Sequence, residues 1–200
     1  METKRLILRQ WTCADYRAYA QLNADPRVMR YFPAVLSTPE SDQQAKRIQN
    51  LISERGWGFW ALELKSTGQF IGFVGLHQQD ENSGIPDAPL IEIGWRLSSD
   101  CWGLGYAPEA AEKALEFAFL KLAVTSVYAF TAIQNRASQR VMLKLGMLNT
   151  QQDFNHPQLS AGHRLERHCL YQITKQQWLE KQPLSVFSQA KSTGLSASKS

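Results

Sequence analysis

The sequence is poor in the features that mark a stapled, metal-bound or membrane-inserted protein. Only three of its 200 residues are cysteine, Cys13, Cys101 and Cys169. The number is odd and no two are spaced Cys-x-x-Cys, which argues against a disulfide framework and against zinc. His77, His156, His163 and His168 lack a ligand spacing such as His-x-x-x-His, so no metal is expected. No run of about 18 apolar residues exists to cross a bilayer, and no membrane partner is expected. The opening residues carry charges where a secretory leader needs an apolar core of about 7–15 residues, so an unprocessed, cytoplasmic chain with reduced thiols is expected. Excess charge is also missing from the body of the chain. Of 22 basic residues, Lys181, Lys191 and Lys199 lie in an acid-free last segment, and the remaining 19 face 18 acids. A nearly neutral body without a basic, aromatic-interleaved face excludes nucleic acid as the expected partner.

What remains is an ordinary globular composition, 44% hydrophobic and 20% charged, on a chain long enough to bury a core unaided. Alternation predicts a strand over residues 5–11, and Thr12 can cap a helix over 13–24. Ser37 or Thr38 with Pro39 and Glu40 opens a second helix, whose apolar positions Ala45, Ile48, Leu51 and Ile52 run to Gly56. Residues 57–64 and 69–77 read as a hairpin. A polar stretch then leads to a strand at 90–97. A long helix with Pro108 in its first turn, a strand at 127–133 and a helix at 136–145 stopped by Gly146 follow. A last pair of strands is expected near 148–154 and 164–173. The fold class is therefore mixed α/β: a mostly antiparallel, twisted central sheet of six to seven strands flanked by about four helices. Residues 1–180 form the expected domain. The last twenty residues, with six serines, read as a mobile tail.

The segment Glu92-Ile93-Gly94-Trp95-Arg96-Leu97-Ser98-Ser99-Asp100-Cys101-Trp102-Gly103-Leu104-Gly105-Tyr106-Ala107-Pro108-Glu109 is a strand, a glycine turn and a helix start. Glycines let backbone N–H groups meet a ligand unshielded, and the helix N-terminus adds about half a positive charge there. The combination is an anion site, most naturally for phosphate. A P-loop needs Lys-Ser or Lys-Thr after the glycines, and a dinucleotide fingerprint needs a small residue where Pro108 stands, so neither applies. Taken alone, Gly103 and Gly105 could equally do no more than shape the turn. Cys101, beside it, has no visible His–Asp partnership to make it a nucleophile.

About thirty residues on, the next strand–helix junction reads Asn135-Arg136-Ala137-Ser138-Gln139-Arg140-Val141-Met142-Leu143-Lys144-Leu145-Gly146-Met147. With Trp102-Gly103-Leu104-Gly105-Tyr106-Ala107, it resembles the GNAT N-acetyltransferase superfamily. Trp102 stands where that family usually has Gln or Arg. Trp-Gly-x-Gly-Tyr-Ala followed by Glu109, Ala110 and Ala111 is similar to the ribosomal-protein N-acetyltransferases of the RimJ/RimL type. Arg5-Leu6-Ile7-Leu8-Arg9, Glu92-Ile93-Gly94-Trp95 and His168-Cys169-Leu170-Tyr171 add to the likeness, which spans roughly residues 3–180.

The resemblance implies the GNAT fold and direct acetyl transfer from acetyl-CoA to a primary amine, on a protein N-terminus or a small molecule, in a ternary complex. It implies that backbone N–H groups of Trp102, Gly103, Leu104, Gly105, Tyr106 and Ala107 hold the pyrophosphate. It further implies that Leu97, Ser98 and Ser99 pair with the pantetheine, and that Asn135 and Ser138 line its arm. An attacking amine must first lose a proton, so a base is expected. Glu92 is the first candidate and Glu63 a lesser one. The tyrosine that many family members place seven residues after the asparagine is Met142 here, which leaves Ser138 as the nearest hydroxyl for the departing thiolate. Asn135 and Ser138 could equally be helix-capping residues. By the same resemblance Tyr31 and Phe32 shape the acceptor cleft. A homodimer is compatible with the sequence. A non-catalytic acyl-CoA-binding module is the alternative reading, separable by thiol release with a panel of amines.

Overall fold

Helix starts are written in local side-chain bonds. The Asp15 carboxylate accepts hydrogen bonds from the Thr12 N–H and hydroxyl at 2.8 and 3.0 Å, opening α1 (Cys13–Ala24). Glu40 does the same for Ser37 at α2 (Thr38–Arg55), which Gly56 ends in the left-handed region at φ 80°. The computed structural model describes residues 1–182; from residue 183 on, the expected serine-rich tail lies outside the described residues.

Between and after these helices the chain lays down β1 (Leu6–Arg9), β2 (Phe59–Leu64), β3 (Phe70–Gln79), β4 (Leu90–Leu97), α3 (Tyr106–Leu120), β5 (Ser126–Ala132), α4 (Arg136–Lys144), β6 (Leu148–Asn149), β7 (Phe154–Asn155), β8 (Arg167–Thr174) and α5 (Lys175–Lys181). The sheet order is β1-β2-β3-β4-β5-β8-β6, with β7 also paired to β8. Every pairing is antiparallel except β4 with β5, which is parallel and holds a single register pair, Glu92 with Tyr128. Beyond Glu92 the two strands part.

Two counts differ from expectation. The sheet has eight strands rather than six to seven, because the strand expected near 148–154 is broken into β6 and β7. Gln151 adopts φ 62° and donates its N–H to Asn149 Oδ1 at 2.7 Å, a local turn that outcompetes the ladder. A fifth helix, α5, follows β8; the Thr174 hydroxyl accepts from the Gln177 N–H, and the buried Trp178 indole donates to Glu112 Oε1 at 2.8 Å. Seven residues are too few for a helical period to show in sequence.

Alternation assigns the two faces of the sheet. On one, Trp60, Val74, Leu76, Ile93 and Leu97 meet α3, whose Ala110, Ala111, Ala114 and Ala118 are fully buried and let helix and sheet approach closely. On the other, the cross-strand pairs Phe73–Arg96, Gly75–Gly94 and His77–Glu92 lie in a row, and Phe73 and Arg96 are covered by Trp11, by Tyr19 and Asn23 of α1 and by Gln44 of α2. Past β5 this second face is covered differently, by Ile85, Leu90 and Phe154 packed on Leu170, Tyr128 and Phe130. The seam between the two covers runs along β4 and β5, where the strands separate.

Candidate active site

The glycine turn sits at the end of this seam. Gly103 and Gly105 have φ 75° and 79°, a region that β-carbons disfavour, and Gly105 is the residue that starts α3. Among the described residues the N–H groups of Gly103, Leu104 and Gly105 have no partner, and those of Tyr106 and Ala107 are the unpaired donors of a first helical turn. A β-carbon on Gly103 would meet nothing within 4 Å, so its backbone is open to a ligand. Five consecutive donors at a helix N-terminus fit a diphosphate.

Two residues brace the turn. Trp102 sends its indole N–H to the Leu97 carbonyl at 3.0 Å, so the residue in the Gln/Arg position serves to close the loop. Arg5, on the approach to β1, donates to the Leu104 carbonyl at 2.9 Å, pairs with Glu109 at 2.6 Å and lies 4.5 Å over the Tyr106 ring. Sequence reasoning took Arg5 only as part of a resemblance; a contact across 99 residues leaves no local pattern.

At the strand end, where Leu97, Ser98 and Ser99 are expected to meet the pantetheine, part of the hydrogen-bonding capacity is engaged. The Leu97 carbonyl is held by Trp102, the Ser98 N–H donates to Ile71 O at 2.9 Å, and the Ser99 hydroxyl donates to Asp25 at 2.9 Å. The backbone without a strand partner lies one step earlier, on the β5-facing edge of β4 after Glu92.

Glu92 occupies the seam itself. Burial pushes its carboxyl up to about 7, against the opposing hydrogen bond from Gln79 Nε2 to Oε2 at 2.7 Å. Its cross-strand neighbour His77 stacks on Phe59 at 5.8 Å, and burial, with nearby Arg55 and Arg47, lowers the imidazole below its ordinary value. Gln79 and His77 were not singled out in the sequence, because the loop between β3 and β4 hides the register that places them beside Glu92.

Glu63 does not join this group. Its carboxylate accepts from Arg9 Nε at 2.6 Å on the β1–β2 side of the sheet, in a network that includes Asp15. Asn135 Oδ1 accepts from the Ser138 N–H at 3.2 Å, while its Nδ2 donates to Thr131 Oγ1 at 3.0 Å, so the asparagine caps α4 and ties it to β5. The partly exposed Ser138 hydroxyl makes no bond among the described residues. Met142 is fully buried in the core and supplies no acid, and burial raises the Cys101 thiol, the opposite of an activated nucleophile. Phe32 lies over the Arg96 guanidinium at 4.0 Å at the mouth of the seam, and Tyr31 is beside it, next to Arg30. Arg164 Nη2 donates to the Arg30 carbonyl at 3.0 Å, joining the loop before β8 to the short 3-10 turn Val28–Tyr31. Among the described residues no cluster of three metal-ligating side chains forms, and no helix is long and apolar enough to cross a membrane.

A glycine turn with five free N–H donors, two parallel strands that part beside it and a partly buried carboxylate in the gap are what an acyltransferase with an acylated, phosphate-bearing donor requires. Residues 5–148 match the acetyltransferase (GNAT) domain model, and the chain belongs to that family. It is 32% identical over 150 residues to the uncharacterized N-acetyltransferase YoaA of Bacillus subtilis, covering 73% of this chain and 81% of that one. It is 28% identical over 173 residues to the FsC-acetyl coenzyme A-N(2)-transacetylase of Aspergillus fumigatus, covering 83% and 72%. A GNAT-family acetyltransferase structure from Bacillus anthracis superposes with a TM-score of 0.73 at 22% identity, over 88% of this chain and 98% of that one, a match in fold. The protein is an N-acetyltransferase, and its donor is acetyl-CoA.

Proposed function

We propose that the chain transfers the acetyl group of acetyl-CoA directly to a primary amine, on a protein N-terminus or a small molecule, in a ternary complex of the RimJ/RimL kind, in the cytoplasm. Acetyl-CoA supplies an acetyl group already activated as a thioester. The N–H groups of residues 103–107 hold its diphosphate, and the unpaired edge of β4 aligns the arm that follows. Ser138, at the start of α4, is the hydroxyl available to the departing sulfur. A thiol with a pKa near 8.5 leaves without strong assistance, so the buried Met142 does not preclude turnover. Tyr31 and Phe32 border the acceptor.

The observation that carries this reading is Glu92. A carboxyl held near 7 inside the seam can take a proton from the amine, directly or through one water, and still be ionised in half the molecules at neutral pH. Free-thiol release from acetyl-CoA with a panel of amines and N-terminal peptides tests it. Acceptor-dependent release supports the proposal, while tight acetyl-CoA binding with no release would make the chain a non-catalytic acyl-CoA-binding module.

A further inference from the structure

Arg96 is a buried cation with no anion. Its side chain rises from β4 on the same face as Glu92, is 8% exposed, and takes part in none of the ion pairs among the described residues. All three of its hydrogen bonds leave from Nη1, to Asn23 Oδ1 at 2.7 Å, Gln44 Oε1 at 3.2 Å and the Tyr19 hydroxyl at 3.3 Å. Nε is the one buried side-chain nitrogen or oxygen among the described residues that has no partner. Phe32 and Phe73 lie against the guanidinium at 4.0 and 5.5 Å. Burying a charge without a counter-charge is costly, and three neutral oxygens on a single nitrogen do not neutralise it. The unused Nε and Nη2 form the side-on edge of the guanidinium, the fork that matches a carboxylate bidentately.

We infer that Arg96 receives a carboxylate of the acceptor, so that the preferred substrate is an amine that also carries a carboxylate several bonds away. The inference rests on the acetyl-transfer reading above and names its substrate class. Glu92 and Arg96 stand four residues apart on one face of β4, roughly 13 Å along the strand. Between them the glycine pair Gly75 and Gly94 is covered by Phe59, whose ring packs on Gly94, so the floor is the outer face of that ring. An acceptor lying along this floor has its amine at the base and its acid at the fork. Phe32, partly exposed at the end of the 3-10 turn, is the wall at the Arg96 end.

The test uses the whole protein with saturating acetyl-CoA and a series of ω-amino acids of about one to six methylenes. Each is compared with its carboxamide and with the matching diamine by thiol release. The best amino acid should exceed its carboxamide in kcat/KM by about tenfold to a hundredfold, the range of a charge-assisted bidentate pair. Arg96→Met should erase that ratio, chiefly through KM, while acetyl-CoA titration shows an unchanged donor site and so a folded protein; Arg96→Lys should keep only part of it. Should the variants fail to fold, the wild-type ratio decides alone. Equal turnover of acid, amide and diamine, or a preference that survives in Arg96→Met, overturns the inference and leaves the acetyl-transfer reading standing. No thiol release with any of the amines overturns both.

Discussion

Replacing Glu92 by glutamine should make the protein more stable and less active, each with its own pH dependence. Burial raises the carboxyl from an ordinary value of 4.5 to about 7. A raised folded-state value means that the protonated form is favoured in the native protein, so ionisation weakens the fold as pH rises from the unfolded value through the folded one. The penalty is about 3 kcal/mol at pH 8 and falls below about 1 kcal/mol at pH 5. A glutamine is neutral at both, keeps the shape, and offers an oxygen to Gln79, whose Nε2 now donates to Oε2. Thermal melts should therefore rise by about 6–12 °C at pH 8 for a chain of this size, and by only a few degrees at pH 5.

The same substitution removes the proposed base. In the wild type the rate should climb about tenfold between pH 6 and pH 8, following ionisation of a group near 7. In Glu92→Gln that acidic limb should vanish and the plateau fall by roughly 10²–10⁴. Stability curves and thiol-release profiles measured on one preparation test both halves together. A melting gain equal at pH 5 and pH 8 would refute the burial argument, and an acidic limb that persists in the variant would remove Glu92 from the proton transfer.

Gly105→Val places a branched side chain at φ 79°, with its β-carbon 3.4 Å from Arg5 Nη2, at the mouth of the proposed diphosphate site. Calorimetric titration should show acetyl-CoA affinity down by at least about tenfold; unchanged affinity would displace the site from the turn. Arg5→Ala removes the brace on the Leu104 carbonyl and the partner of Glu109. The exposed pair contributes under about 1 kcal/mol to folding, so the melting point should barely move while acetyl-CoA binding weakens several-fold; equal wild-type affinity would leave Arg5 a surface residue. Trp178→Ala opens a cavity beside Phe119 and frees Glu112, and should cost about 3–5 kcal/mol in denaturant unfolding, whereas Trp178→Phe should cost about 1 kcal/mol for the lost bond. A neutral Trp178→Ala would mean that α5 adds nothing to the fold.

The legible and illegible parts of this protein divide along a physical line. Residues 92–109 run without interruption from the proposed base, along a strand with an open edge, into a glycine turn and a helix start, so nearly every proposed donor contact is written in eighteen consecutive positions. Such a segment can be read because each residue's role depends on its neighbours in sequence: glycine for the positive φ, Pro108 where a helix lacks a partner for its N–H anyway. The acceptor side has no such segment. Arg96 gets its surroundings from Tyr19, Asn23 and Gln44 on two helices and Phe32 on a turn, and Glu92 gets its bond from Gln79 across a hairpin whose loop sets no register. Glu63 shows the cost of judging a carboxylate without that context, since Arg9 on the neighbouring edge strand takes it. A donor common to a whole family can be met by one contiguous stretch, whereas an acceptor must be met by side chains that tertiary packing alone assembles. The acceptor's chemistry is therefore to be sought where packing leaves a group unsatisfied, and among the described residues Arg96 Nε is where it does.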